Sequence, residues 1–461
     1  MQNDYLNPIA KAPEQISVKS DDQPLGADTI ILGLLLVSYF YVLPLGRYSF
    51  FGVATDFRIY DFAFIGFMLF AGLKYLPRLG ELRRQRSRFH YWTIALIIVV
   101  WLSLIFTSLQ SRNNLTTVFS AVLRAFRFSH YLLIPSLIVL IANTPRRQRF
   151  LTNIFYANIL LQALLAFGQG LGWLPTFWPS YWLYYGKQTV GTLSPHHLQI
   201  SIVMMLGLAL SATYLRTARN PFQIIIAGGG AALMLAATIF SGTRTAWVSI
   251  PFMILAYLYI HRSKSIVPLI GLGLLVAVVF GALWGIIQDP IEAQIQTRLL
   301  DGIASGGLSE PLSDRLAIYD QDIINRLLKR PWVLVIGAGF QNVLYAIGAA
   351  GAHNNYLQAW FELGIVGLVV YLGMLKTILG SLRATAASTA NRFAQVLSKD
   401  VWAAFIGVMV SMLAGETLWA QYSMFTLSGQ ILALVGLAAC PLFWDQHANQ
   451  KPSDAQLANT V

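Results

Sequence analysis

The chain has 461 residues, of which 56% are hydrophobic and only 11% charged, and its mean hydropathy is +0.58. A soluble enzyme carries roughly twice that charged fraction, so a soluble globular class is excluded. The net charge of +12 does not point to nucleic acid, because it is segregated into short loops between apolar runs.

Residues 1–28 are polar and lack the apolar core of a cleavable signal, so they read as a disordered cytoplasmic tail. Apolar runs of membrane-spanning length then follow at 29–46, 58–75, 91–109, 117–141, 151–172, 196–215, 222–240, 246–260 and 266–287. Three more lie at 356–380, 401–421 and 425–444. The prediction is an all-α, polytopic transmembrane bundle of about 12 helices. Residues 29–287 hold the first nine, 288–355 one large loop, 356–444 the last three, and 445–461 a second cytoplasmic tail.

Basic residues punctuate this series at "KYLPRLGELRRQRSRFH", "TPRRQRF", "RTARN", "HRSKS" and the stretch holding Lys376, Arg383, Arg392 and Lys399. With both termini cytoplasmic, every one of these loops falls on the cytoplasmic side, as the bias of lysine and arginine requires. The opposite, periplasmic loops are short apart from two. "WLPTFWPSYWLYYGKQTVGTLSP" is rich in Trp and Tyr, as an interfacial belt should be. The loop from Gln288 to about Asn355 contains "DRLAIYDQDIINRLLKR", with apolar residues at helical spacing, and reads as a cap against the membrane surface. The lone cysteine, Cys440, allows no intrachain disulfide.

Few residues in such a chain can carry chemistry. His353, in "GAHNNYLQAWFELGIVGL", precedes an apolar helix beside Asn354 and Asn355. It suits a general base at neutral pH; the plainer reading is that "HNN" caps the helix. The positive end of that helix disfavours imidazolium. Arg244, in "IFSGTRTAW", sits in a turn too short to leave the membrane boundary, so it pairs with an anion or snorkels. Arg315, in "LSDRLAIYD", lies in the cap loop, where the plainer reading is a solvated helix face near Asp314 or Asp320. Arg124 and Arg127 lie inside an apolar span, three residues apart and hence on one face. They mark a function, or Glu362 or Glu416 neutralises them.

Three apparent motifs are weak. The carboxylates of "DQD" point apart on a helix. "GAG", Gly337–Gly339, lacks the third glycine and the strand–helix context of a dinucleotide site. "HH", His196 and His197, places its rings on different helix faces, which makes a poor metal pair. No metal and no cofactor is expected.

A short "SGTR" turn, then a large loop with "DRL…RPW…GAGF…AHNNYLQAWFELGIVGL", resembles the O-antigen ligase and polymerase superfamily of bacterial integral membrane glycan transferases. The resemblance is firmest from Phe240 to Tyr371. It implies transfer of a glycan from an undecaprenyl-diphosphate carrier to a saccharide hydroxyl, on a lipid A-core acceptor or another carrier-linked repeat. It implies a bacterial inner-membrane location and a periplasmic site. It matches His353 to the family's loop histidine and Arg244 and Arg315 to its diphosphate-contacting arginines. Arg124, Arg127 and Asn354 are further substrate-binding candidates. The stretch "SPHHLQ" departs from the family pattern. The expected partners are that donor, a saccharide or lipid A-core acceptor and membrane lipids, with no nucleic acid. A membrane transporter or flippase is the rival, since Arg124, Arg127, Glu362 and Glu416 place charge within spans. Ligase and polymerase are not separated by the sequence.

Overall fold

A computed structural model describes residues 25–42, 44–50, 53–79, 88–110, 115–178, 189–193, 196–261, 329–342, 352–413, 417–419 and 426–444, with a few single positions between them. Almost all of it is helical. α1 is Ala27–Ser38, and α2 is Ile59–Phe67, which continues through a π-helical turn, Met68–Gly72, into Leu73–Tyr75. Next come α3 (Arg88–Gln110), α4 (Leu115–Ile141), α5 (Pro145–Gly170), α6 (His197–Thr217), α7 (Pro221–Ser241) and α8 (Arg244–His261). After the short α9 (Trp332–Ile336) follow α10 (Asn355–Ser388), α11 (Arg392–Ser411) and α12 (Leu427–Ala439). Among the described residues, seven helices are long and apolar enough to cross a membrane. Most of the expected span 266–287, most of the cap loop, residues 1–24 and 445–461 of the two tails, Arg315 and Glu416 lie outside the described residues, and Ala27 and Asp28, expected in the first tail, open α1 instead.

One element departs from the all-α expectation. The first helix stops at Ser38 instead of running to residue 46, and Pro44–Phe50 pairs antiparallel with Val53–Arg58 in a two-stranded hairpin. Pro44 keeps the helix from running on to residue 46, since its ring fixes φ and its nitrogen has no proton for the helical ladder.

Sequence signals set the helix starts. Thr144 caps α5 by accepting from the Arg147 amide, with Pro145 at the first helical position. Asn220 caps α7 in the same way ahead of Pro221, and Asn391 caps α11. All three begin in basic loops, and those loops meet at one end of the bundle. There Arg392 donates to the Arg216 carbonyl, His261 reaches Asp400 of α11, Ser398 reaches the Ala438 carbonyl of α12, and Tyr75 bonds Asp28. This end is the basic end.

The outer surface is apolar. Phe70 is 80% exposed and Leu109 70%, with Leu34, Ile225 and Leu255 also facing outward. Patches of this kind are a liability in water and suit acyl chains. The interior carries scattered polar groups that bond across helices. Gln162 donates to the Phe40 carbonyl and Thr192, Gln199 to Thr426, and Gln430 to the Tyr39 carbonyl. In lipid, such bonds and close small-residue contacts replace the hydrophobic effect between helices.

Candidate active site

The end opposite the basic loops gathers the starts of α6, α8 and α10. α7 finishes at Gly242, whose left-handed φ of 64° reverses the chain in the "SGTR" turn. That turn is stitched to α6: Ser241 bonds Ser201 at 2.6 Å, and Thr243 donates to the His197 carbonyl at 3.2 Å. Arg244, half-buried, therefore opens α8 beside the first turn of α6. On α11, a Cβ at Gly407 would meet Met205 of α6 and Ser249 and Met253 of α8. The three helices thus run level, and α11 ends where α10 begins: the Asn355 amide donates to the Met412 carbonyl at 2.9 Å.

His353 stands just before α10, exposed, with φ at +49°. Left-handed backbone costs a residue with a Cβ, and histidine tolerates it better than most. Its neighbours hold the turn. Asn354 accepts from the amides of Tyr356 and Leu357 at 3.0 and 3.1 Å, and its own amide group reaches the Leu413 carbonyl. Asn354 is thus the helix cap that its residue type suggested. On the other side, the Ala352 amide donates to Gln358 at 2.9 Å.

Gln358 leads to the buried carboxylate. Its amide donates to Glu362 Oε1 at 2.5 Å, while Glu362 Oε2 accepts from the Gln341 backbone amide at 3.0 Å and from Trp419 at 2.9 Å. All three donors are neutral. Glu362, fully buried, fastens the Gln341 loop and the Trp419 segment to α10. A carboxylate that accepts several hydrogen bonds recovers much of the solvation it loses on burial.

The same region gives "GAG" its role. α10 breaks at Gly364, at φ 68° and ψ −170°. The break would leave helical carbonyls without partners, and the Ala338 and Gly339 amides take them: Ala338 donates to Phe361 O at 2.8 Å and Gly339 to Glu362 O at 2.9 Å. A Cβ at Gly337 would stand 2.3 Å from the Glu362 carbonyl, and one at Gly364 would stand 2.3 Å from that of Val335. Both positions need glycine for space as well as for φ. The glycines serve helix–loop contact rather than a nucleotide. Phe340 then buries between Phe128 and Trp419.

The two span arginines separate. Arg127 forms a two-pronged pair with Asp61 of α2, Nε to Oδ1 at 2.9 Å and Nη2 to Oδ2 at 2.6 Å. Asp61, in "RIYDFAF", is an acid within a span that the sequence reading overlooked in favour of Glu362 and Glu416. Arg124 donates to the Gln341 side chain at 2.6 Å, and so joins the Glu362 network one residue removed. Gln341, Gln358 and Trp419 had no sequence signal beyond their polarity beside an apolar run.

The dismissed "HH" pair also belongs here. His196 is not on the helix but caps it, in extended backbone, with Nδ1 accepting from the Leu198 amide at 3.2 Å. Its ring stacks on His197, centroids 4.7 Å apart. Burial, with His197 and then His353 nearby, pushes its pKa down to about 4. The structure thus brings His353 and His196 within electrostatic reach of each other. Among the described residues, no group of three or more His, Cys, Asp or Glu is arranged to hold a metal ion.

The O-antigen ligase family model matches residues 229–372, less than half of the chain. The resemblance to the O-antigen ligase and polymerase superfamily holds. The O-antigen ligase segment takes in the "SGTR" turn with Arg244, the "GAGF" loop, His353, Glu362 and the Gly364 break. Arg124, Arg127 and the His196–His197 pair lie outside it. No curated protein matches the chain. Family and apolar helices together make this an integral membrane protein with an O-antigen ligase-type role in polysaccharide biosynthesis.

Proposed function

We propose that the protein transfers a glycan from an undecaprenyl-diphosphate carrier to a saccharide hydroxyl, as a ligase or a polymerase, at the end of the bundle away from its basic loops. The observation that carries this reading is the convergence of the Arg244 turn, His196 and His353 at that end, with Arg244 and His353 inside the O-antigen ligase segment. That end is periplasmic in this reading, because lysine and arginine mark the cytoplasmic side of a membrane protein. The placement is that of the inner membrane, with both termini cytoplasmic.

The chemistry follows from the groups present. The acceptor hydroxyl attacks the anomeric carbon, the bond to the carrier diphosphate breaks, and His353 takes the hydroxyl proton. The diphosphate leaves with gained negative charge. Arg244, with Arg315 of the cap loop, stabilises that charge more in the transition state than before it. Arginine suits the task because its planar fork engages two phosphate oxygens at once. The donor carries its own leaving group, so no nucleotide is required. Arg124 and Asn354 act at one remove, through the Gln341–Glu362 network and the helix cap.

A purified sample in nanodiscs, given a synthetic lipid-diphosphate donor and a saccharide acceptor, tests the reaction. Arg244→Lys keeps the charge but loses the fork, and turnover should fall on the order of 10²-fold, the scale for losing one transition-state donor. Wild-type turnover in that variant removes Arg244 from the site, and no transfer by the parent protein removes the activity. Cysteines at Ser87 and Ser309, probed with an impermeant thiol reagent in cells with a permeabilised outer membrane, test sidedness. Labelling at Ser87 alone inverts the assignment.

A further inference from the structure

The basic end holds a cleft of about 470 Å³, lined by Arg146 and Arg149 of α5, Arg216 and Arg219 at the end of α6, and Arg392 at the start of α11. We propose that this cleft binds the phosphate group of an anionic phospholipid. The proposal does not depend on the glycan chemistry at the other end.

Membrane orientation alone does not account for the cleft. Orientation needs positive charge on one side, and lysine or arginine spread over the loops supplies it. Here five basic residues from three distant segments converge on one concavity, and all five are arginine. None of the described residues lining it is a carboxylate. Arginine is the residue whose geometry matches phosphate oxygens in pairs. Arg146 and Arg149 are three residues apart on a helix and share a face. Arg216 and Arg219 stand at the C-terminal end of α6, where the helix dipole favours cations.

Several of these side chains are held in place before any ligand arrives. The Arg149 guanidinium lies 5.0 Å over the Phe393 ring, and that of Arg216 lies 5.3 Å over Tyr257. Arg216 also bonds His261, whose Nε2 meets Asp400 at 2.6 Å. Asp400 is fully buried beneath the cleft, where Thr213 donates to it as well at 2.7 Å. Arg392 donates to the Arg216 carbonyl at 3.2 Å. Fixed donors lose less entropy on binding than free surface side chains.

The surroundings favour a lipid over a soluble anion. α7 starts next to Arg219 and turns Phe222 and Ile225 outward, 68% and 66% exposed. A headgroup in the cleft would lay its acyl chains against that apolar face. Basic pockets between helices at the cytoplasmic surface are a recurrent way of holding lipid phosphates.

The test uses the full-length protein in a non-ionic detergent, titrated with phosphatidylglycerol and, separately, with phosphatidylcholine and inorganic pyrophosphate. Saturable binding of phosphatidylglycerol but not phosphatidylcholine is expected. The triple variant Arg146→Gln, Arg219→Gln, Arg392→Gln should weaken it roughly 100-fold, the scale for three basic groups facing an anionic surface. A control that removes equal charge from the same end, Lys74→Gln, Arg78→Gln, Arg383→Gln, should stay near the parent value. Should the first triple fail to fold, Thr217→Glu places a carboxylate in the cleft and should abolish binding by itself. Equal losses in the control triple would mean diffuse attraction and overturn the proposal. So would pyrophosphate binding without phosphatidylglycerol binding, which would make the ligand a soluble anion.

Discussion

At the basic end, both ring nitrogens of His261 are occupied: Nδ1 faces the Arg216 guanidinium, and Nε2 meets the Asp400 carboxylate. At the opposite end, His196 takes a backbone amide on Nδ1 as a helix cap, and His353 stands exposed on a left-handed backbone. The same side chain is a strut between charges in one place and an accessible imidazole in the other. What separates them is the neighbours. A histidine wedged between an arginine and a buried carboxylate has no nitrogen left for a substrate. An exposed histidine can meet a substrate, which is what proton transfer needs.

The strongest way to break this contrast is to change both histidines alike. His353→Gln should lower turnover by a factor on the order of 10² to 10⁴ with the fold intact, because an amide cannot accept the proton. His261→Gln should do the reverse, leaving turnover per folded molecule within a few-fold and lowering the melting temperature. Steady-state rates and thermal scans on the two purified variants decide it. Near-parental turnover in His353→Gln would make His353 a residue that only positions the acceptor.

The contrast extends to the arginines of α4. Arg127 is held by a carboxylate and Arg124 by an amide. Asp61→Asn leaves the buried Arg127 without its counter-charge and should cost about 3–5 kcal/mol of stability. Gln341→Ala removes only a neutral acceptor from Arg124 and should cost less. If the two variants unfold at the same temperature, the Arg127–Asp61 pair is not a structural strut.

Much of this molecule was legible from the sequence. The helical spans from 58–75 through 246–260 were visible as apolar runs, although the caps Thr144 and Asn220 start α5 and α7 earlier than the expected 151 and 222. The one-sided basic loops also foretold which helix ends meet. Less legible was anything that depends on which helix lies beside which. Asp61 and Arg127 are 66 residues apart, and nothing in either segment names the other. Three partners of Glu362 were equally hidden, since glutamine, tryptophan and a backbone amide carry no charge to pair by. For "HH", helical spacing placed both rings on one helix, whereas His196 stands outside the helix as its cap. The hairpin at residues 44–58 falls mostly in the short loop between the expected spans 29–46 and 58–75, where no strand was expected.

The break at Gly364 permits a smaller and more local test. Gly364→Ala meets the Val335 carbonyl and a positive φ together, and should cost about 1–3 kcal/mol. The loss should come with weakened turnover, since Glu362, Gln358 and Ala352 tie the break to the His353 turn. Gly380→Ala, where a Cβ meets nothing within 4 Å, is the control and should be neutral or slightly stabilising. Equal stability in the two variants would mean that the loop yields without cost, and that the "GAG" contact does not hold the site.

The smallest expected effect concerns Asn354, which is both a cap and a candidate for touching substrate. Its side-chain oxygen accepts two amides of α10, and its nitrogen reaches the Leu413 carbonyl. Asn354→Ala loses all three bonds and should cost about 0.5–2 kcal/mol, the range for losing a helix cap. Asn354→Asp keeps an oxygen for the helix and places a negative charge where the helix dipole welcomes one. It should therefore recover most of the stability. The two roles then part in the kinetics. A residue that only caps gives Asn354→Asp a near-normal KM and kcat. A residue that also meets the donor gives a raised KM, because a carboxylate near a lipid diphosphate repels it. Thermal stability and KM measured side by side on Asn354→Ala and Asn354→Asp separate the outcomes, and recovered stability with a raised KM assigns Asn354 to the substrate as well as to the helix.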